Sequence, residues 1–351
     1  MALTLYVDTE RWRGHQKVVA DSYPGIVPVT KGNGYGFGSK RLAIEAKALG
    51  ADTLAVGTHD ELAEVAEVFP GDLMVLNPVR SYLPRSIERR VIHTLSRVTD
   101  LQTLADGLGL PGGARHRVVI ELFGSVHRFG IGADDLSLVR TILADRGVVC
   151  EGFALHLPLP NDEGHQPEVQ RWIGRLSAAG LNPSRMFVSH LSAQEQQALS
   201  DANPDIEFRC RVGTQLWLAE RESYRCRAHV LDVHPVRRGE RFGYRQRRLP
   251  AEGNLVVVSG GTANGIALEP PSHVGDLRTR AKVLAASGLE AAGFALSPYW
   301  IGGQRRWFAE PPHMQVSMLF LPTSVTPPDL GEEIEVNVGM TLTHFDRISY
   351  D

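Results

Sequence analysis

The chain has 351 residues, 43% of them hydrophobic and 22% charged, with a formal net charge of −3 at pH 7. This is the composition of an ordinary soluble globular protein with one large domain, or one large and one medium domain. The charge gives no electrostatic case for nucleic acid or an acidic membrane as a partner, and no apolar stretch approaches the length of a membrane span. The N-terminal "MALTLYVDTERWRGHQK" lacks the basic-then-apolar pattern of a secretion signal. Cys150, Cys210 and Cys226 are odd in number and lack disulfide or metal spacing, which implies a reducing cytoplasm and no metal centre.

From residue 25 onward, short apolar runs alternate with helix-like stretches. "GIVPVTK" (25–31) precedes "KRLAIEAKALG", and "DTLAVG" (52–57) precedes "HDELAEVAEVF". "DLMVLNP" (72–78) and "VIHTLSR" (91–97) come next, then "HRVVIELF" (116–123) with "ADDLSLVRTILADRG". "CEGFALHL" (150–157) is followed by "PEVQRWIGRLSAAG", and "RMFVSHLS" (185–192) and "IEFRCRVG" (206–213) complete the series. Gly50, Gly147 and Gly180 stand where helix-capping glycines belong. The runs are rich in Val, Ile, Leu and Phe without strict alternation, as strands buried on both faces are. An open doubly wound sheet shares this rhythm, but a count of eight favours a (β/α)8 TIM barrel over residues 1–221. After it the texture changes to short β-like runs broken by Gly and Pro, among them "NLVVVSGG", "HMQVSMLFLPT" and "EEIEVNVGM". "RTRAKVLAASG" is the one clear helix candidate there, so residues 222–351 read as a smaller, mostly-β domain.

Active sites of such barrels lie at the C-terminal strand ends. The first run ends in Lys31, one of only five lysines against 32 arginines. Arg128 follows the fifth run, His156 ends the sixth, His190 and Ser192 end the seventh, and the eighth carries Arg209 and Arg211 before Gly213. This set suits an anionic, phosphate-bearing ligand. A lysine amine crowded by cations is pushed toward its neutral, nucleophilic form and can join an aldehyde as a Schiff base. Pyridoxal 5′-phosphate (PLP) combines an aldehyde with a phosphate. The residues alone leave a second reading open, in which Lys31 is a solvated or phosphate-contacting loop lysine.

"VPVTKGNGYGFG" resembles the PLP-lysine motif of alanine racemases, usually V-V-K-A-N-A-Y-G-H-G. "ADTLAVGTHDELAEV", "FGSVHRFGIG", "EGFALHLP", "RCRVGTQLW", "SGGTANG" and "HMQVSMLFL" resemble that family's later segments in the same order over nearly the whole chain. The resemblance implies that Lys31 carries PLP as an internal aldimine and is one of two bases, with Tyr35 at the phosphate. It implies that His156 packs against the pyridine ring and that Ser192, Gly213 and Thr214 bind the phosphate. Arg211 would donate to the pyridine nitrogen and, unable to give up its proton, leave it unprotonated. Arg128 would fix the substrate or the cofactor's phenolic oxygen. Met314 would face the substrate from the partner subunit of a homodimer whose active sites are shared. The expected substrate is a small amino acid.

The departures bear on the reaction. Thr262 stands where the family's opposing base, a tyrosine, belongs, and Asn264 replaces the following aspartate. A threonine hydroxyl is too poor an acid–base to replace a phenol near neutral pH. Glu121 stands at the position of the family's carbamylated lysine and would orient Arg128; Leu191 and Phe37 replace a cofactor-facing asparagine and a histidine. Three readings are open: a racemase with a substitute base, Tyr244 or Tyr299; another PLP-dependent amino-acid reaction, a decarboxylation or one-base epimerisation; and a non-enzymatic PLP-binding homologue.

Overall fold

The structure, a computed structural model, describes residues 2–80, 86, 88–107, 113–145, 147–160, 164–268 and 295–351. The helix expected at 278–288 lies outside the described residues. The chain forms two compact units, Arg13–Ala219 and Met1–Trp12 with Glu220–Asp351.

The sequence begins with a strand, β1 (Leu3–Val7), and a helix, α1 (Thr9–Ser22), inside which the unit boundary falls. The first unit is then a closed barrel of eight parallel strands: β2 (Val27–Thr30), β3 (Thr53–Val56), β4 (Asp72–Val75), β5 (Val91–Leu95), β6 (His116–Leu122), β7 (Val148–Leu155), β8 (Arg185–Ser189) and β9 (Glu207–Val212). Each lies within a run expected from the sequence or extends it by two residues. Helices α2 (Ser39–Ala48), α3 (Leu62–Ala66), α4 (Val98–Asp106), α5 (Leu136–Ala144), α6 (Gln166–Ala178), α7 (Ala193–Ala202) and α8 (Thr214–Leu218) fall between or after them. Gly50 and Gly180 take left-handed φ angles of 76° and 73° past α2 and α6, as caps do. Gly147 does not. It is needed because a Cβ there would lie 2.2 Å from the Ala105 carbonyl oxygen.

Alternate strand residues turn inward, and the barrel interior is layered. A dry plug of Val27, Val29, Ala55, Met74, Ile92, Val119, Ala154 and Phe187 fills its middle. Register joins these positions around the ring, Val29 to Ala55, Ala55 to Met74, Met74 to Ile92 and Ala154 to Phe187. Two residues earlier along several of the same strands stand charges. Arg117 binds both oxygens of Asp72, at 2.5 and 2.6 Å, and Glu151 at 2.6 Å. Glu151 also meets Arg185 at 3.4 Å, and Arg185 meets Glu207 at 2.6 Å. Arg209, 4% exposed, links Glu207 at 3.6 Å to Asp52. This ionic belt closes the N-terminal end of the barrel. It gives Arg209, noted on the eighth run but assigned no role from the sequence, a structural position.

In the second unit, β10 (Tyr224–Val236), β11 (Arg241–Phe242), β12 (Arg247–Arg248), β13 (Gly253–Ser259), β14 (Leu296–Ile301), β15 (Gln304–Phe308), β16 (Val316–Pro322), β17 (Glu333–Val336) and β18 (Arg347–Tyr350) join β1. Eight of these strands form one sheet in the order β13-β16-β15-β14-β17-β10-β1-β18, with a further β13–β10 pairing. Burial alternates along β16, as expected of strands with one face in a core. The expected barrel span of 1–221 thus differs at its start. "LTLYV" pairs antiparallel with β10, Leu3 opposite Ala228, and parallel with β18, Thr4 opposite Arg347. Those ladder bonds place residues 1–12 in the β unit.

Arg117→Met should test the ionic belt. It keeps the apolar stem but leaves two carboxylates without their shared cation, costing about 2 kcal/mol once partial exposure is allowed for. Urea unfolding would read this as a lowered midpoint at unchanged slope; a shift within about 0.5 kcal/mol would mean an ordinary surface pair.

Candidate active site

The same parity that builds the plug builds the site above it. Two residues beyond Val29, Ala55, Val119, Ala154, Phe187 and Arg209 stand Lys31, Gly57, Glu121, His156, Ser189 and Arg211. The strand geometry therefore brings the sequence-predicted Lys31, Glu121, His156 and Arg211 to one mouth.

Lys31 leaves β2 into the turn 30–38. Gly32, Gly34, Gly36 and Gly38 all take positive φ angles, and so does Tyr35 at 54°. That conformation is strained for a bulky aromatic. It carries the Tyr35 ring inward, where the side chain is 5% exposed. A Cβ at Gly213 would lie 2.1 Å from the Tyr35 Oη, so only glycine leaves room for the phenol. Burial pushes the Tyr35 pKa up to about 12, partly opposed by its hydrogen bond with Thr214. Gly213 precedes the first turn of α8, and Thr214 opens it.

The Lys31 amine is held below the ordinary lysine range by desolvation first, then by Arg128 and Arg211, against Glu61. Glu61, which sequence reading missed, accepts the N–H groups of Gly57 at 2.8 Å and Gly32 at 3.1 Å. A Cβ at Gly57 would come within 3.0 Å of the Lys31 Cβ. Arg211 is buried, and desolvation and Arg128 lower its pKa while Glu121 raises it. One Nη donates to the Leu155 carbonyl at 3.1 Å, and its Nε has no partner among the described residues. That unspent buried donor is what a ring nitrogen would use. Burial raises the Glu121 pKa against the pull of Arg211 and Arg128, so it is coupled to both cations. Arg128 itself is exposed and lies 5.3 Å over the Phe129 ring.

His156 pairs through Nδ1 with the Ser189 hydroxyl at 2.9 Å, and that hydroxyl accepts the Leu157 N–H at 3.1 Å. His190, given no role from the sequence, stands edge-on to His156 with ring centroids 5.5 Å apart. Its left-handed φ of 60° turns it there, which no sequence signal announces. Ser192 is engaged otherwise than expected. It caps α7, donating its hydroxyl to Glu195 at 2.9 Å and accepting the Glu195 N–H at 3.2 Å. Burial would raise the Glu195 pKa, but the N–H groups of His165 and Ser192 hold it below the usual range. Leu191, at the expected asparagine position, is buried. Lys31, Arg211, Tyr35, Gly213 and Thr214 fit an aldehyde- and phosphate-bearing group; Ser192 fits it only by giving up Glu195.

The β unit holds the remaining positions. Gly261 to Ile266 make a tight loop in which the Thr262 N–H donates to the His313 carbonyl at 2.8 Å and the Ala263 N–H to the Met314 carbonyl at 2.9 Å. Asn264 braces that loop, donating to the His344 carbonyl and Asp346. Thr262, Met314 and Tyr244 line one cleft of about 360 Å³. Tyr299, a candidate substitute base, does not reach it. It is 0% exposed, burial raises its pKa, and its hydroxyl donates to the carbonyls of Ser259 and Gly260 at 3.0 Å. It is a core tyrosine.

The sequence profile of the family described as alanine racemase, N-terminal domain, matches residues 7–213. An alanine racemase of Corynebacterium efficiens is 25% identical over 270 residues, covering 71% of each chain. The solved alanine racemase from E. faecalis superposes with a TM-score of 0.70 at 18% identity, over 99% of this chain and 98% of that one. The alanine racemase from Bartonella henselae with covalently bound pyridoxal phosphate does so with a TM-score of 0.67 at 15% identity, over 100% of both chains. At these identities the structural likeness establishes the fold, a barrel followed by a mostly-β unit.

One property of the mouth is measurable without any ligand. Burial, then Arg211, Arg128, His190 and Lys31, push the His156 pKa from 6.5 down to about 3. Below pH 6.5 the unfolded chain takes up a proton there that the folded chain refuses, so stability falls as the pH falls toward 3. Between pH 7 and 4.5 the wild type should lose about 2 kcal/mol more than His156→Gln, solvent screening allowed for. Parallel losses in urea unfolding would show that His156 is not held neutral.

Proposed function

This chain belongs to the alanine racemase family, and from that premise we propose that it is an amino-acid racemase working with pyridoxal 5′-phosphate held by Lys31. The observation that carries the reading is the Lys31 amine, lowered in pKa by desolvation and two arginines at the end of an inward-facing row. Such an amine is nucleophilic enough to capture an aldehyde and basic enough to move a proton afterwards. When bound, the cofactor withdraws electrons from the substrate's α-carbon and loosens its α-proton.

The chain's own residues do the rest. Tyr35, Gly213 and Thr214 would hold the phosphate, and Ser192 could join them only by releasing Glu195. The Arg211 Nε–H would donate to the pyridine nitrogen and, as a guanidinium that keeps its proton, would leave that nitrogen unprotonated and moderate the electron withdrawal. His156, kept neutral by burial and these cations, would pack against the ring without adding charge. Arg128 binds the substrate carboxylate, with Glu121 holding it and Arg211 in place through charge. Lys31 takes or returns the α-proton on one face. A homodimer completes the site, with Met314 of a second copy facing the substrate. Met314 and Tyr244, 73% and 86% exposed beside one cleft, are apolar surface that such an assembly would cover.

Two variants test the assignment. Lys31→Ala should abolish racemisation of every amino acid and the PLP adduct that borohydride fixes on the wild type. A persisting adduct would assign the cofactor to another amine. Gly213→Ala should weaken PLP binding at least about tenfold, roughly 1.4 kcal/mol, because the new methyl displaces the Tyr35 hydroxyl. Absorbance titration would read it, and an unchanged affinity would remove Gly213 and Tyr35 from the phosphate site.

A further inference from the structure

We propose that His313, oriented by Glu310, is the second acid–base residue of the reaction, presented by a second copy of the chain to the face of the substrate opposite Lys31. This rests on the racemase reading above. Racemisation by inversion needs a proton-transfer group on each face, and the threonine at Thr262 cannot be one near neutral pH.

The cleft beside Thr262 contains what that position lacks. It is lined by Tyr244, Arg245, Thr262, Glu310, His313 and Met314, among others. His313 Nε2 lies 2.7 Å from Glu310 Oε1. A carboxylate at Glu310 can only accept in this contact, which puts the shared hydrogen on Nε2 and makes Nδ1 the ring nitrogen through which His313 would act. The Glu310 side chain is 5% exposed and is fixed by the Tyr244 N–H at 3.1 Å. Gly243 packs so closely that a Cβ there would fall 2.1 Å from Glu310 Oε2. The Tyr244 ring covers the imidazole at a centroid distance of 4.8 Å. The His313 backbone is pinned at both ends, its N–H to the Val316 carbonyl at 2.9 Å and its carbonyl to the Thr262 N–H at 2.8 Å. The His313 side chain is 27% exposed, so the imidazole is braced by Glu310 yet open to the cleft. A carboxylate that fixes the tautomer and orientation of a histidine is the arrangement by which that side chain serves as a general base. Tyr244, the other ionisable ring there, is the wall of this pair.

For one enantiomer, His313 Nδ1 takes the α-proton as the C–H bond breaks and becomes an imidazolium, while the Lys31 ammonium returns a proton to the opposite face. For the other enantiomer both transfers reverse, and no proton is gained or lost overall.

The experiment uses full-length, PLP-loaded protein in deuterated water, following inversion and α-proton exchange separately. His313→Gln should slow inversion by roughly 100-fold or more, while exchange with retention by Lys31 continues. Glu310→Gln, a change at the positioning residue, should slow inversion less. A histidine that only supported the fold would depress both processes together, so equal loss overturns the proposal, as does inversion at the wild-type rate. His313→Asn is the second variant should the glutamine protein fail to fold, with melting temperature and PLP absorbance as the checks. A readout without cofactor is the imidazole ¹H–¹⁵N spectrum. The wild type should show the Nε2–H tautomer alone and Glu310→Gln a mixture; an Nδ1–H tautomer in the wild type overturns the proposal. Should the wild type invert no amino acid, the racemase reading itself fails and this inference with it. Should the wild type and His313→Gln invert alike, only this inference fails.

Discussion

The inward parity of the barrel strands is the constraint on which the rest of the site depends. Once Val29, Ala55, Val119, Ala154 and Phe187 are committed to a dry plug, the residues two positions on must line the mouth. Nothing else has to bring Lys31, Glu121 and His156 together, and Arg211 joins them by the same inward parity on β9, two residues beyond the belt residue Arg209. The plug also separates two populations of charge. Below it, arginines and carboxylates alternate around a belt and neutralise one another. Above it, Lys31, Arg128 and Arg211 are answered by Glu61 and Glu121.

That surplus of positive charge acts together with burial. Desolvation first, and the cations second, keep His156 neutral and lower Lys31, while the same cations hold the burial-raised Glu121 in check. It also makes the mouth receptive to an anion. The exception is the N-terminus of α7, where Glu195 already occupies the donors of Ser192.

The β unit is built on a different rule. Its strands alternate, and its cleft comes from a tight loop that pairs with the backbone of His313 and Met314. Tyr299 shows how such a sheet absorbs a polar aromatic into its core. The phenol spends its hydrogen bond on backbone carbonyls and has none left for chemistry. Glu310 and His313 are the reverse case: a carboxylate buried beneath an imidazole that still opens outward.

The sequence by itself determined the barrel, because buried parallel strands need continuous apolar runs and eight such runs are countable. It also marked Lys31, since a lone lysine before a glycine-rich turn stands out in an arginine-rich chain. Tertiary structure alone decided what depends on long-range pairing or on a single backbone angle. The place of "LTLYV" in the β unit depends on partners more than 200 residues away. His190 reaches the mouth through one left-handed φ, and Ser192 is bound to Glu195 by side-chain geometry. Arg209 and Arg211 share a strand and an inward face, and residue type and spacing alone do not separate them; only the resemblance singled out Arg211. The two-residue step between them, a rise of about 6.6 Å, sets one in the ionic belt and the other at the mouth.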